Sequence, residues 1–153
     1  LISPQPHHTL YDLYCGYGLF GLSLAASVEK VIGIEVSRQS VESARINAHR
    51  LKIQNARFHI GDLSGVTLEP VLKKQKTPFI AVLDPPRTGT APGVIEALAK
   101  ATPDRVVHIF CDIERLPHEL KRWRLNGYRA AHIVPVDLFP ATDNVEVIIL
   151  LES

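Results

Sequence analysis

The residues best equipped for chemistry sit where short apolar runs end. Asp12-Leu13-Tyr14-Cys15 leads into Gly16-Tyr17-Gly18-Leu19-Phe20-Gly21, a G-x-G-x-x-G spacing, and Glu35 closes the next run, Val31-Ile32-Gly33-Ile34. Glycines at this spacing let backbone approach a nucleotide, and an acid ending the following strand accepts bonds from ribose hydroxyls. The chemistry indicated is the holding of a nucleotide-type cofactor, and the spacing alone fits NAD as well as S-adenosylmethionine. Three acids favour S-adenosylmethionine. Asp12 stands just ahead of the turn, Asp62 follows the third strand where an adenine edge would lie, and Asp84 opens Asp84-Pro85-Pro86, where methyl-transfer sites face their substrate. Each has a plainer reading: Asp12 as a cap on turn amides, Glu35 as a solvated strand end, Asp62 as an ordinary turn residue.

Cys111 and Glu146 form a second pair. Cys111 ends an apolar run, and its plainer reading is a buried structural thiol. Glu146 lies in Asn144-Val145-Glu146-Val147-Ile148-Ile149-Leu150-Leu151, where alternation puts it on the face of Ile148 and Leu150. A carboxylate there is costly unless it is paired, near the open end of the strand, or used. Beside a methyl donor, a thiol and a carboxylate suit C5 of a pyrimidine. Thiolate addition to C6 makes C5 nucleophilic, and a base then removes the C5 proton so that the thiol can leave. Cys111 and Glu146 are the candidates, with Asp84 and Arg87 binding polar ring edges or positioning the donor.

These residues need a scaffold that brings strand ends together. Apolar runs alternate with helical patterns, the pattern of a parallel sheet covered on both faces. Strands are predicted over Thr9–Tyr14, Val31–Glu35, Ala56–Ile60, Phe79–Leu83 and Val106–Cys111. Helices are predicted over Phe20–Ala26, Ser37–Leu51, Val66–Lys74 (with Pro70 disturbing its first half), Ala91–Ala101 and from Pro117 to about Leu125. Ala130–Val136 and Asn144–Leu151 then read as two strands with no helix between them, hence antiparallel neighbours. A doubly wound α/β sheet of seven strands, mostly parallel with a C-terminal antiparallel hairpin, is the class I methyltransferase (Rossmann-like) pattern.

Composition is consistent with one soluble domain spanning residues 1–153. Apolar residues make up 46% and charged residues 22% of the chain, and the net charge of +1 neither requires nor excludes an RNA partner. Two cysteines are too few for a disulfide framework or a four-cysteine metal site, so no metal is expected. No apolar stretch reaches the length of a membrane span and no signal peptide is visible, so a cytoplasmic setting is expected and no membrane partner. There is no methionine, which suggests a segment of a longer protein. No protein partner or oligomeric state can be deduced.

The segments Asp12-Leu13-Tyr14-Cys15-Gly16-Tyr17-Gly18-Leu19-Phe20, Val31-Ile32-Gly33-Ile34-Glu35, Asp84-Pro85-Pro86-Arg87-Thr88-Gly89 and Asp137-Leu138-Phe139-Pro140 resemble the RNA 5-methyluridine (uracil-C5) methyltransferase family. The resemblance runs over nearly the whole chain. It implies an S-adenosylmethionine-dependent enzyme acting on uridine in tRNA or rRNA. It implies cofactor contacts at Tyr14, Leu19, Glu35 and Asp84 beside Asp12, Gly16, Gly18 and Asp62, the nucleophile at Cys111 and the base at Glu146. Where the family often has asparagine this chain has Leu19, which leaves only its backbone for polar contact.

Two departures stand out. The family nucleophile normally lies in Ser-Cys-Asn-Pro, whereas this chain reads Phe110-Cys111-Asp112-Ile113, and an acid beside the thiol is expected either to oppose thiolate formation or to bind a polar edge of the base that asparagine would have met. The family's N-terminal RNA-binding part would precede Leu1. Three rival readings follow: a domain that binds cofactor and RNA without turnover, an NAD-dependent dehydrogenase domain, and an adenine-N6 methyltransferase. The last wants an aromatic residue where Arg87 stands.

Overall fold

Burial explains the order of the strands. Every residue of β1 (Thr9–Leu13) and β4 (Phe79–Leu83) is buried, whereas β3 (Ala56–Ile60) and β6 (Arg129–Val136) are largely open to solvent. A strand buried throughout needs neighbours on both edges and cover on both faces. The computed structural model, which describes residues 1–137 and 145–153, has this arrangement. With β2 (Lys30–Glu35), β5 (Arg105–Phe110) and β7 (Glu146–Glu152), the strands form one sheet in the order β3-β2-β1-β4-β5-β7-β6. The first five strands run parallel, and β7 enters antiparallel between β5 and β6. Pro135, which cannot donate to a ladder, lies on the edge strand β6.

The helices are α1 (Leu19–Leu24), α2 (Arg38–Arg50), α3 (Gly65–Leu72), α4 (Val94–Ala101) and α5 (Leu116–Leu125). Strand alternation divides the core in two. Tyr11, Leu13, Ala81, Leu83, Val106, Phe110, Val147 and Ile149 pack on the face that also buries Leu68, Leu98 and Trp123. Leu10, Ile80, Val82, Val107, Ile109 and Leu150 pack on the other, with Leu22, Val41 and Ala44. By the same alternation Asp12, Asp84, Cys111 and Glu146 all belong to this second face, and all four lie at the end of the sheet where the parallel strands finish.

Expected and observed elements differ at a few ends. Tyr14 lies outside β1 because its backbone has turned to φ 62°. Cys111 is the first residue past β5. Helix α4 begins at Val94 rather than Ala91, because a residue before proline is disfavoured in helix and Gly93 supplies the left-handed cap at φ 80°. Helix α2 starts as its sequence suggests, with Ser37 Oγ accepting the Ser40 amide at 3.2 Å. Helix α3 carries Pro70 inside it, behind a capping box formed by Ser64 and Thr67. Of the Asp137–Pro140 segment, residues 138–140 lie outside the described residues.

Candidate active site

The glycine-rich turn is shaped by two acids. Asp12, wholly buried in β1, accepts the Gly21 amide on Oδ2 at 2.8 Å and so anchors the start of α1. A Cβ at position 21 would lie 2.8 Å from that same oxygen. Burial, with the charge of Asp84 adding to it, pushes the Asp12 carboxyl up to about 7. Its other oxygen, Oδ1, has no hydrogen-bond partner. Glu35, at the end of β2, accepts the Gly16 amide on Oε2 at 3.2 Å and the Ser37 amide on Oε1 at 2.8 Å. It thus ties the turn to the entrance of α2, and each oxygen keeps a lone pair for a further donor. Gly18, the cap of α1, has φ 85°, and Gly16 has φ 49°.

Beyond the turn lies a cavity of about 350 Å³ lined by Tyr14, Val36, Asp62, Leu63, Pro86 and Thr90, among others. Asp62, Gly61 and Leu63 also line a second cavity of about 330 Å³ with Ile34 and Leu68. Asp62 is exposed, and its carbonyl oxygen accepts the Thr67 hydroxyl at 2.6 Å. Leu19 is 69% exposed at the first turn of α1. Of the expected cofactor residues, Tyr14 and Asp62 thus face a common space, Gly16 and Glu35 are bonded to one another, and Asp12 lies beneath the turn.

The second group converges across β4, β5 and β7. The register of β5 on β7 pairs Phe110 with Val147, which puts Cys111 opposite Glu146 one step further on. Directly opposed residues of an antiparallel pair carry their side chains on one face. Cys111 Sγ lies 3.9 Å from the Pro85 carbonyl oxygen. Burial pushes the Cys111 thiol above its ordinary range, Asp84 and Glu146 add to that, and Arg87 opposes it. Asp84 is pushed up to about 6 by burial and by the Glu146 charge. Asp84, Arg87, Cys111 and Glu146 are therefore within electrostatic reach of one another.

One expectation needs correcting. Asp112 is adjacent to the thiol in sequence, but its Oδ1 accepts the Glu114 amide at 3.0 Å and caps the 3-10 turn Ile113–Arg115. The carboxylates that oppose Cys111 ionisation are Asp84 and Glu146. Cys15, at the foot of the glycine-rich turn, is buried, and burial raises its thiol strongly.

The sequence reading missed a buried polar group behind the loop from Asp84 to Pro92. Glu119 of α5 accepts the Thr90 amide on Oε1 at 2.6 Å and the Thr90 hydroxyl on Oε2 at 2.5 Å. His108 Nε2 lies 3.2 Å from both Thr90 Oγ1 and Glu119 Oε2, and Trp123 Nε1 donates to His108 Nδ1 at 3.1 Å. Indole nitrogen only donates, so Nδ1 carries the lone pair and the neutral ring bears its proton on Nε2. Burial holds His108 down at about 3. The available signals were a histidine inside the apolar run Val106–Phe110 and a glutamate four residues before Trp123 on a helix.

A sheet in this order, a glycine-rich turn after β1 and an acid ending β2 together define a class I methyltransferase fold. Among the described residues, no group of three or more His, Cys, Asp or Glu side chains is arranged to hold a metal, and no helix is long and apolar enough to cross a membrane. The sequence profile of the tRNA (uracil-5-)-methyltransferase family matches residues 2–153, and the chain belongs to that family. It is 42% identical over 144 residues to an uncharacterized RNA methyltransferase of Gloeobacter violaceus, which covers 94% of this chain and 30% of that protein. A second, from Chlorobaculum tepidum, is 36% identical over 148 residues, covering 96% and 31%. The chain thus spans about a third of the length of the curated relatives it matches. Among solved structures, the Pyrococcus abyssi tRNA (uracil-54, C5)-methyltransferase in complex with S-adenosyl-L-homocysteine superposes with a TM-score of 0.78 at 27% identity, over 94% of this chain and 34% of that one. A precorrin-8w decarboxylase from Methanobacterium thermoautotrophicum reaches a TM-score of 0.75 at 16% identity over 100% of this chain and 86% of that one, a likeness of fold alone.

Proposed function

We propose that this domain carries the methyl-transfer site of an S-adenosylmethionine-dependent enzyme acting on C5 of a uridine in tRNA or rRNA, through a covalent bond between Cys111 and C6. The observation that carries this reading is the placement of Cys111 opposite Glu146, beside Asp84 and Arg87, at the sheet end that also holds the glycine-rich turn. RNA would be the partner. An RNA-binding part outside these residues and a cytoplasmic setting belong to the same reading.

The residues present fit the cofactor. Glu35 keeps lone pairs for ribose hydroxyls, Asp62 and Leu63 line the adjoining space, and the backbone at Gly16 and Gly18 allows close approach. The Asp84 charge disfavours ionisation of Asp12 and the Glu146 charge disfavours ionisation of Asp84, and a cationic sulfonium would relieve that repulsion. When bound, S-adenosylmethionine supplies an electrophilic methyl group.

The protein's part in the reaction follows from the site. Cys111 Sγ, as thiolate, bonds to C6, and the C5=C6 electron pair moves to make C5 nucleophilic. Arg87 is the positive charge that favours this thiolate, and with Asp84 it meets the polar edges of the ring. After C5 has gained its methyl group, Glu146 takes the C5 proton. The electrons of that C–H bond restore C5=C6, the S–C6 bond breaks, and Cys111 leaves as thiolate.

The test is covalent trapping with RNA containing 5-fluorouridine, whose C5 fluorine cannot leave as a proton. The full chain with S-adenosylmethionine should form a stable adduct, and Cys111→Ala should form none. An adduct in Cys111→Ala would overturn the assignment of the nucleophile.

A further inference from the structure

The loop from Asp84 to Ala91 is fastened at its last two residues. Thr90 gives both of its donors, amide and hydroxyl, to Glu119, and the Ala91 amide donates to Tyr14 Oη at 2.9 Å. Gly89 is pressed against the same carboxylate: at φ 84°, a Cβ there would lie 2.6 Å from Glu119 Oε1. On the other side His108, three residues ahead of Cys111 on β5, offers its Nε2 proton to Thr90 Oγ1 and Glu119 Oε2, and Trp123 fixes its tautomer. Glu119 and His108 are buried at 3% and 0% exposure, so their polar atoms are satisfied by protein groups rather than by solvent.

From this geometry we infer that Glu119, with Thr90 and neutral His108, is a positioning group for the methyl-transfer site: it fixes the Arg87 loop against the strand that carries Cys111. The inference rests on the proposed role of Cys111. Glu119 touches no reacting atom. It acts through two backbone positions, Gly89 and Thr90, that lie two and three residues beyond Arg87. Pro85, two residues before Arg87, meets Cys111 directly through its carbonyl oxygen. The loop is therefore held on the thiol side by Pro85 and on the helix side by Thr90, with Arg87 between.

Replacement of the carboxylate by an amide disturbs the network in either orientation. If the amide nitrogen takes the place of Oε1, it faces the Thr90 N–H, donor to donor. If it takes the place of Oε2, it faces the proton on His108 Nε2. Replacement of Thr90 by valine keeps the shape and removes only the hydroxyl.

The experiment compares Thr90→Val, Thr90→Ser and Glu119→Gln in the full chain. It measures methylation of uridine-containing RNA, the pH profile of 5-fluorouridine adduct formation, and S-adenosylhomocysteine affinity by calorimetry. Expected in Thr90→Val and Glu119→Gln is a fall in kcat of about tenfold or more, since small misplacements are costly to an aligned site. The adduct-forming limb should move to higher pH as Arg87 is displaced from Cys111, with kcat falling by a larger factor than S-adenosylhomocysteine affinity. Thr90→Ser, which keeps the hydroxyl, should recover the parent rate. Parent-like rates and pH profile in Thr90→Val and Glu119→Gln would overturn the inference. Parallel loss of rate and S-adenosylhomocysteine binding would also overturn it and make the network a matter of stability. Adduct formation by Cys111→Ala identifies the separate case in which the proposed function itself fails.

Discussion

Tyr14 Oη accepts the amide N–H of Ala91 across 2.9 Å, so the residue that opens the glycine-rich turn is bonded to the end of the loop carrying Arg87. Tyr14 makes this contact from φ 62°, a conformation that costs a non-glycine residue roughly 1–3 kcal/mol unless its surroundings impose it. Tyr14→Phe should leave the fold intact and weaken both sides of the site. We expect S-adenosylhomocysteine affinity to fall by about five- to tenfold, in line with the loss of one buried hydrogen bond. Calorimetry on the purified variant checks this, and unchanged affinity would show that the turn and the loop are independent.

Glu35 joins the turn to α2 through Gly16 and Ser37. Glu35→Ala removes both acceptors and the candidate ribose ligand together. Cofactor affinity should drop by about a hundredfold, whereas melting temperature should fall only a few degrees. Equal affinity for S-adenosylhomocysteine in parent and variant would remove Glu35 from the site.

Gly89 has two reasons to be glycine, a left-handed φ of 84° and the Glu119 carboxylate where a Cβ would stand. Gly89→Ala should cost about 2 kcal/mol or more of stability, above the ordinary strain of such a substitution. Urea denaturation measures it. Gly127, with φ 87° and nothing near its would-be Cβ, is the control, and Gly127→Ala should cost about 1 kcal/mol.

Stability should respond to pH through Asp12. Its carboxyl stands at about 7 in the folded protein against an ordinary 3.8, so between these values the fold keeps a proton that the unfolded chain has released. Stability from this group is greatest below about pH 4 and is lost as pH rises to about 7, a matter of a few kcal/mol. Asp84, pushed up to about 6, acts in the same direction. His108, held down at about 3 against an ordinary 6.5, acts oppositely and destabilises the fold as pH falls through that interval. The Asp12 contribution is isolated by subtracting the urea stability of Asp12→Asn at each pH. That difference should fall from pH 4 to pH 7 and then level off, and a difference independent of pH would contradict the burial argument.

How far the sequence foretells this structure depends on the range of the interaction. The β3 and β4 boundaries, Ala56–Ile60 and Phe79–Leu83, are legible to the residue because the alternation of β3, the unbroken apolar run of β4 and the following Gly61-Asp62 and Asp84-Pro85-Pro86 are local signals. The face shared by Glu146 and Ile148 is legible for the same reason. The start of α4 is misjudged although its signals are local: Pro92 disfavours helix at Ala91, and Gly93 caps the helix from a left-handed φ of 80°. For the Glu119 network the sequence offers single signals only, because Thr90, His108 and Glu119 come from a loop, a strand and a helix, and nothing local shows that they meet. The effect expected of Asp112 failed because a neighbouring acid in sequence can turn its side chain to a backbone amide, while acids on adjacent strands face the thiol.

β7 follows every other strand in the chain, yet it lies inside the sheet between β5 and β6. During synthesis, then, β1 to β5 can assemble while the far edge of β5 stands open, an adhesive state for nascent chains. Cys111 is made early and waits. Only when residues 146–152 emerge and slip into that edge does Cys111 come to stand opposite Glu146, so the strand that seals this edge also completes the pair on which the proposed methyl transfer rests.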